Sequence, residues 1–169
     1  MGTGTPVTED EIITPEKMNL KLESSPDNIL KGLLGVAADW GTDPTDLENA
    51  TDGDLAIVTG TGVTIKGAGG TYGTLTFDLG SIKTVLLSGR FGLWSTASTT
   101  RILAESSDDN ITYRSDWTNL CDITTTAEKV IDSKATILTG RYARIKFHVN
   151  AAATANAKIY EVMAWKLTI

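Results

Sequence analysis

The chain has 169 residues, a formal net charge of −6, a pI near 4.7 and one cysteine. That length houses one well-buried core but not two ordinary domains. The acidic balance argues against a nucleic-acid partner, which needs a basic stripe to displace counterions, and Cys121 alone cannot form an intrachain disulfide. No apolar run reaches the roughly 18 residues of a membrane span, and residues 1–11 lack the basic and apolar pattern of an export signal.

Pro6, Pro15, Pro26 and Pro44 all lie in the first 44 residues. Proline cannot donate to a strand ladder, so the later part reads as the sheet-forming body. Residues 1–25 read as an N-terminal arm, with Glu9, Asp10, Glu11, Glu16 and Glu23 against Lys17 and Lys21, and residues 26–169 as the domain. Thr14 and Pro15 can open a short helix that shares Met18 and Leu22 on one face.

Trp40 stands in loop chemistry before Pro44, and Asp52-Gly53-Asp54 reads as a turn. Ile57-Val58 suggests a short strand, and the glycine-rich residues 60–73 suggest strands joined by tight turns. The organising stretch is residues 72–85: Leu75, Phe77 and Leu79 alternate with Thr74, Thr76 and Asp78, the period of a half-buried strand. Gly80 is expected to stop that strand, with residues 82–87 returning as its hairpin partner and Trp94 in the loop that follows.

Residues 101–106 read as a strand, Ser107-Asp108-Asp109-Asn110 as a turn, and residues 130–138 are weakly patterned. In residues 141–149, Ala143, Ile145, Phe147 and Val149 alternate with Tyr142, Arg144, Lys146 and His148, the cleanest strand of the chain. Residues 151–157 are expected to form a loop feeding a last strand, residues 158–169, apolar on both sides. Ile159, Met163, Trp165 and Leu167 are assigned to one side, Val162 and Ala164 to the other, so that the arm or a second subunit covers the outer stripe. The expected fold class is all-β, an antiparallel two-sheet jelly-roll sandwich of about eight strands.

In order along the chain, Asn49-Ala50-Thr51-Asp52-Gly53-Asp54, Phe77-Asp78-Leu79-Gly80, residues 105–113, Arg141-Tyr142-Ala143-Arg144-Ile145 and Tyr160-Glu161-Val162 together resemble the discoidin, or coagulation factor 5/8 C-terminal, family of galactose-binding-like jelly rolls. The resemblance spans about residues 27–167 and implies a domain that binds rather than catalyses. It also implies a calcium ion held by Asp52, Asp54 and Glu161 with the Asn49 carbonyl, although Ile57 stands where the family places a Thr or Ser. The family's ligand loops often carry aromatic platforms. Trp94 is the leading candidate for stacking on a sugar, with Arg90 as a donor; Trp40, Tyr113 and Trp117 follow, Tyr113 being read first as a packed residue at the core margin.

Catalytic signals are missing from the sequence. Gly60-Thr61-Gly62 has Ile65 where a dinucleotide fingerprint needs glycine, and His148 is the only histidine, which excludes a multi-histidine zinc site. No nucleophile-elbow pattern accompanies it. Residues 13–19 look like arm segments of phage fibre and baseplate proteins. The expected function is therefore a non-enzymatic binding and assembly module of a virion, a fibre or decoration protein, homo-oligomeric and by fibre analogy trimeric. The alternative is a carbohydrate-binding module that recognises a glycan on a cell surface or polysaccharide.

Overall fold

Period-2 alternation is realised as an all-β fold in the computed structural model, which describes residues 28–40, 45–53, 63–66, 72–95, 100–114, 118–123, 127–149 and 154–167. In chain order the elements are β1 (Val36–Ala38), a 3-10 helix (Leu47–Thr51), β2 (Val63–Lys66), β3 (Tyr72–Ser95), β4 (Thr100–Ser107), β5 (Thr118–Ile123), β6 (Lys129–Asp132), β7 (Thr136–Val149) and β8 (Thr154–Lys166). All pairings are antiparallel. The hydrogen-bonded order is β2-β8-β3-β7-β4-β5, with β1 and β6 each added to β3. The arm and the Ile57-Val58 expectation lie outside the described residues.

Gly80 does not end a strand. β3 runs on for 24 residues, and a bulge takes the place of the expected hairpin. Between its Asp78↔Tyr142 and Lys83↔Gly140 pairs, β3 advances by five residues and β7 by two. The surplus residues bend the strand, and Gly80 supplies the positive φ of 79° that the bend uses. Gly73 pairs with Phe147, and an unbent strand would carry Phe91 roughly 60 Å from Gly73. The Phe91 ring instead lies 5.7 Å from that of Phe147, edge-on at 80°. The sheet is thus folded over into two layers. One holds β1, the first half of β3, most of β7, β4 and β5; the other holds the second half of β3, β6, β8 and β2, with the start of β7, Thr136 to Gly140, paired to β3 beyond the bend.

Phe77, Phe91, Phe147, Leu75, Leu87, Ile102, Ile145 and Ile159 are fully buried between the layers. Each such side chain contributes about 1.5–3 kcal/mol on burial, which is how a chain without a disulfide holds together. Trp40 closes one margin of the core. Its ring lies 5.1 Å from Phe147, and its Nε1 donates to the Thr74 carbonyl at 2.9 Å. It also rests on Gly73, where an added Cβ would stand 2.2 Å from the indole, so this position has room only for glycine.

Three further expectations are corrected. Trp94 is on β3, not in a loop, because the strand continues to Ser95. Residues 154–157 belong to β8, paired with β2, where a loop was expected. In β8, Arg90 pairs with Glu161 and Phe91 with Ile159, so Tyr160 is an extra residue that inverts the side-chain parity. Ala157 and Ile159 therefore join Val162 and Ala164 in the core, and not Met163. Met163 and Trp165 are 0% and 5% exposed, so these two residues are already covered within the single chain. The Asn28 side chain fixes the chain entry here, accepting from the Leu30 and Ala164 amides at 3.1 Å each.

Candidate functional site

The polar residues of the cleanest strands share the outer face of the first layer. Thr74, Thr76 and Asp78 of β3 stand beside Tyr142, Arg144 and Lys146 of β7, and Glu105 of β4 pairs with Arg144. Such a face is normally solvated, yet Glu105 and Lys146 are 4% and 6% exposed. The β4–β5 connection lies over part of this face. Asp109 Oδ1 accepts from the Ile111 and Thr112 amides at 2.9 and 2.8 Å, and Ser107 Oγ accepts from the Asn110 amide at 3.0 Å, with Asn110 at a left-handed φ of 62°. The expected Ser107–Asn110 turn is therefore built from Asp and Ser side chains closing on nearby amides. Arg114 pins its far end, donating to Ser106 Oγ at 3.1 Å and Asp108 at 2.7 Å and also to the Thr139 carbonyl.

This connection brings Tyr113 over Arg144, whose guanidinium carbon lies 3.3 Å from the ring centre, a cation–π stack. Beneath it Arg144 Nε donates to Glu105 Oε2 at 2.7 Å, Nη2 donates to the same oxygen, and Lys146 Nζ is 3.5 Å from Oε1. The Tyr113 hydroxyl bonds the Asn110 side chain. Burial pushes the Tyr113 phenol up, which keeps it a neutral donor and acceptor.

Between Tyr113 and β1 the face opens into a groove of about 240 Å³. Val36, Ala38 and Asp39 form one side, Thr74, Thr76 and Asp78 the floor, and Tyr142, Arg144, Asn110 and Tyr113 the other side. Asp78 is held by Arg141, with contacts of 3.0 and 2.8 Å. That bond, aided by the Gly80 amide, lowers its pKa from 3.8 to about 2.

The other sequence candidates are placed elsewhere. Trp94 and Arg90 share the outer face of the second layer. Lys158 Nζ is 5.6 Å from the Trp94 ring centre and donates to Glu128 at 2.7 Å, and the Tyr160 hydroxyl reaches the same carboxylate at 3.2 Å. Glu128 raises the Lys158 pKa. Arg90 makes a two-pronged pair with Asp132 at 2.7 and 3.0 Å. Trp40 is used at the core margin, and Trp117 lies outside the described residues.

Of the calcium candidates, Asn49 is in the 3-10 helix and Asp52 caps its end. The amide of Gly53 donates to Glu161 Oε2 at 3.1 Å, joining this turn to the fully buried carboxylate of β8. Asp54 lies outside the described residues, and among the described residues no three His, Cys, Asp or Glu side chains gather.

The sequence reading did not gather the groove. Tyr142, Arg144 and Asp78 were visible as the polar side of alternating strands, but the face becomes concave where β1 and Tyr113 rise on its two sides.

No protein-family model and no curated relative matches the chain. Among solved structures it is similar to chitosan-binding module 1 of a chitosanase/glucanase from Paenibacillus sp. IK-5, with 21% identity, 82% of this chain and 98% of that one covered, and a TM-score of 0.43. Module 2 of that enzyme, in complex with chitotriose, gives 18% identity, 82% and 99% coverage and a TM-score of 0.42. The lectin domain of lectinolysin, complexed with Lewis B antigen, gives 13%, 85% and 99%, and 0.45. At such identities and scores the likeness transfers no residue role, and the function is read from the groove.

Proposed function

We propose that this chain is a non-catalytic carbohydrate-binding module whose groove between β1 and the Tyr113 connection seats a sugar ring. The observation that carries the reading is the convergence of two tyrosines on a floor of hydroxyl and carboxylate groups. Aromatic faces take the apolar side of a pyranose, and fixed polar groups take its hydroxyls. At about 240 Å³ the groove is below the roughly 300–1,000 Å³ of drug-sized sites, which suits one sugar unit of a chain. Its polar groups are pre-set by Asn110, Glu105 and Arg141, so little ordering entropy is lost on binding. The test is a glycan array read with the native chain and with Tyr142→Ala. Hits that disappear in the variant support the reading; a complete lack of hits overturns it.

Calcium belongs to the same proposal as a structural ion. Asn49, Asp52, Asp54 and Glu161 would hold it through oxygen atoms, the donor type that a hard cation takes. What supports it is the meeting of the Asp52–Gly53 turn with a carboxylate that is fully buried. Bound there, the ion would tie the 3-10 helix to β8 by neutralising buried negative charge. The virion reading rests on residues 13–19, outside the described residues.

A further inference from the structure

The charges around the groove are unequally committed. Arg144 is engaged by Glu105 below and covered by the Tyr113 ring above, so its charge is turned into the protein and away from a ligand. Arg141, beside the groove, is engaged by Asp78 through two contacts. Asp39 is different: it lines the groove, is exposed, and forms no ion pair among the described residues. The groove thus has an exposed acidic residue on the side opposite its two tyrosines, on a chain with a net charge of −6.

From this arrangement, which rests on the glycan reading above, we infer that the ligand is a cationic amino-sugar glycan with free amines, held by its ammonium group at Asp39 and by a ring face at Tyr142. Acidic sugars are disfavoured, because a uronate or sulfate would meet Asp39 and Asp78 while both arginines are occupied. A free amine differs from its N-acetylated form in carrying charge, and a charge-assisted hydrogen bond is about twice as strong as a neutral one. An N-acetyl group also adds bulk where the carboxylate expects a donor.

The discriminating variant is Asp39→Asn. Asp39 has a left-handed φ of 63°. Asparagine tolerates that conformation as aspartate does, so the substitution removes the charge without straining the backbone. Isothermal titration with chitotriose and with tri-N-acetylchitotriose, on the native chain and on Asp39→Asn, gives the comparison. The expected result is about tenfold tighter binding of chitotriose to the native chain. That preference should shrink to less than about twofold in Asp39→Asn and weaken with added salt. Equal affinity of the two trisaccharides for the native chain, or an unchanged preference in Asp39→Asn, overturns the amino-sugar assignment and leaves the glycan reading standing. Binding of neither trisaccharide overturns the assignment as well, and the glycan reading then depends on the array alone.

Discussion

Arg144 lies under the ring of Tyr113, its guanidinium carbon 3.3 Å from the ring centre, and is held from below by Glu105. Two stretches of the chain, β4 with the connection that follows it and β7, meet in that stack. It makes one side of the groove a fixed wall, where a surface loop would otherwise move.

Glu105 is the support of that wall. Its removal leaves Arg144 and the buried Lys146 without their shared anion, and breaking a buried pair from one side costs about 3–5 kcal/mol. Because Arg144 retains partial exposure, the lower end of that range applies to Glu105→Ala. Urea denaturation of the variant should show it as a fall in midpoint with little change in slope. A loss below about 0.5 kcal/mol would contradict the role given to Glu105.

Gly73 and Trp40 should behave as a coupled pair. In Gly73→Ala the new methyl group meets the indole at 2.2 Å, an overpacking that costs about 1–3 kcal/mol. Adding Trp40→Ala removes the obstacle, so the double variant should be more stable than the sum of the two single losses. Strict additivity would show that the indole does not rest on this glycine.

Asp78 offers a check by pH. Its folded pKa, lowered to about 2 by Arg141 and the Gly80 amide, lies below the 3.8 of the free side chain. The contribution of this pair is therefore present above about pH 4 and is lost as pH falls toward 2. A carboxyl carbon titration by NMR should find Asp78 still ionised at pH 3. A midpoint near 3.8 would show that the Arg141 pair is absent in solution.

The calcium proposal predicts a rise in melting temperature with millimolar calcium over a chelated sample, and its loss in Glu161→Gln. Saturation at a hundredfold excess over the dissociation constant stabilises a fold by about 2.7 kcal/mol. Equal melting temperatures with calcium and with chelator would remove the ion from the account.

Much of the fold was legible because alternation is a local property. The strand of Arg141 to Val149 and the turn of Ser107 to Asn110 follow from residues next to one another. The fate of Gly80 was not legible. A glycine after an alternating run marks both a hairpin and a bulge, and only the length of β7 as a partner decides between them. The parity of β8 was hidden likewise, since one extra residue at Tyr160 moves Ile159 to the core side. The groove was the least legible part. Its floor could be read from Thr74, Thr76 and Asp78 and part of one side from Tyr142 and Arg144, but Asp39 and Tyr113 complete the walls, and their approach is purely tertiary.

The central claim, that this groove and not the Trp94 face receives the sugar, is tested most directly by an amide NMR titration of the native chain with chitotriose. The account predicts shifts confined to Thr74–Asp78, Asn110, Tyr113 and Tyr142–Arg144, about Asp39, with Trp94 and Lys158 unmoved. Shifts centred on Trp94, Lys158 and Tyr160, with the groove residues silent, would contradict it.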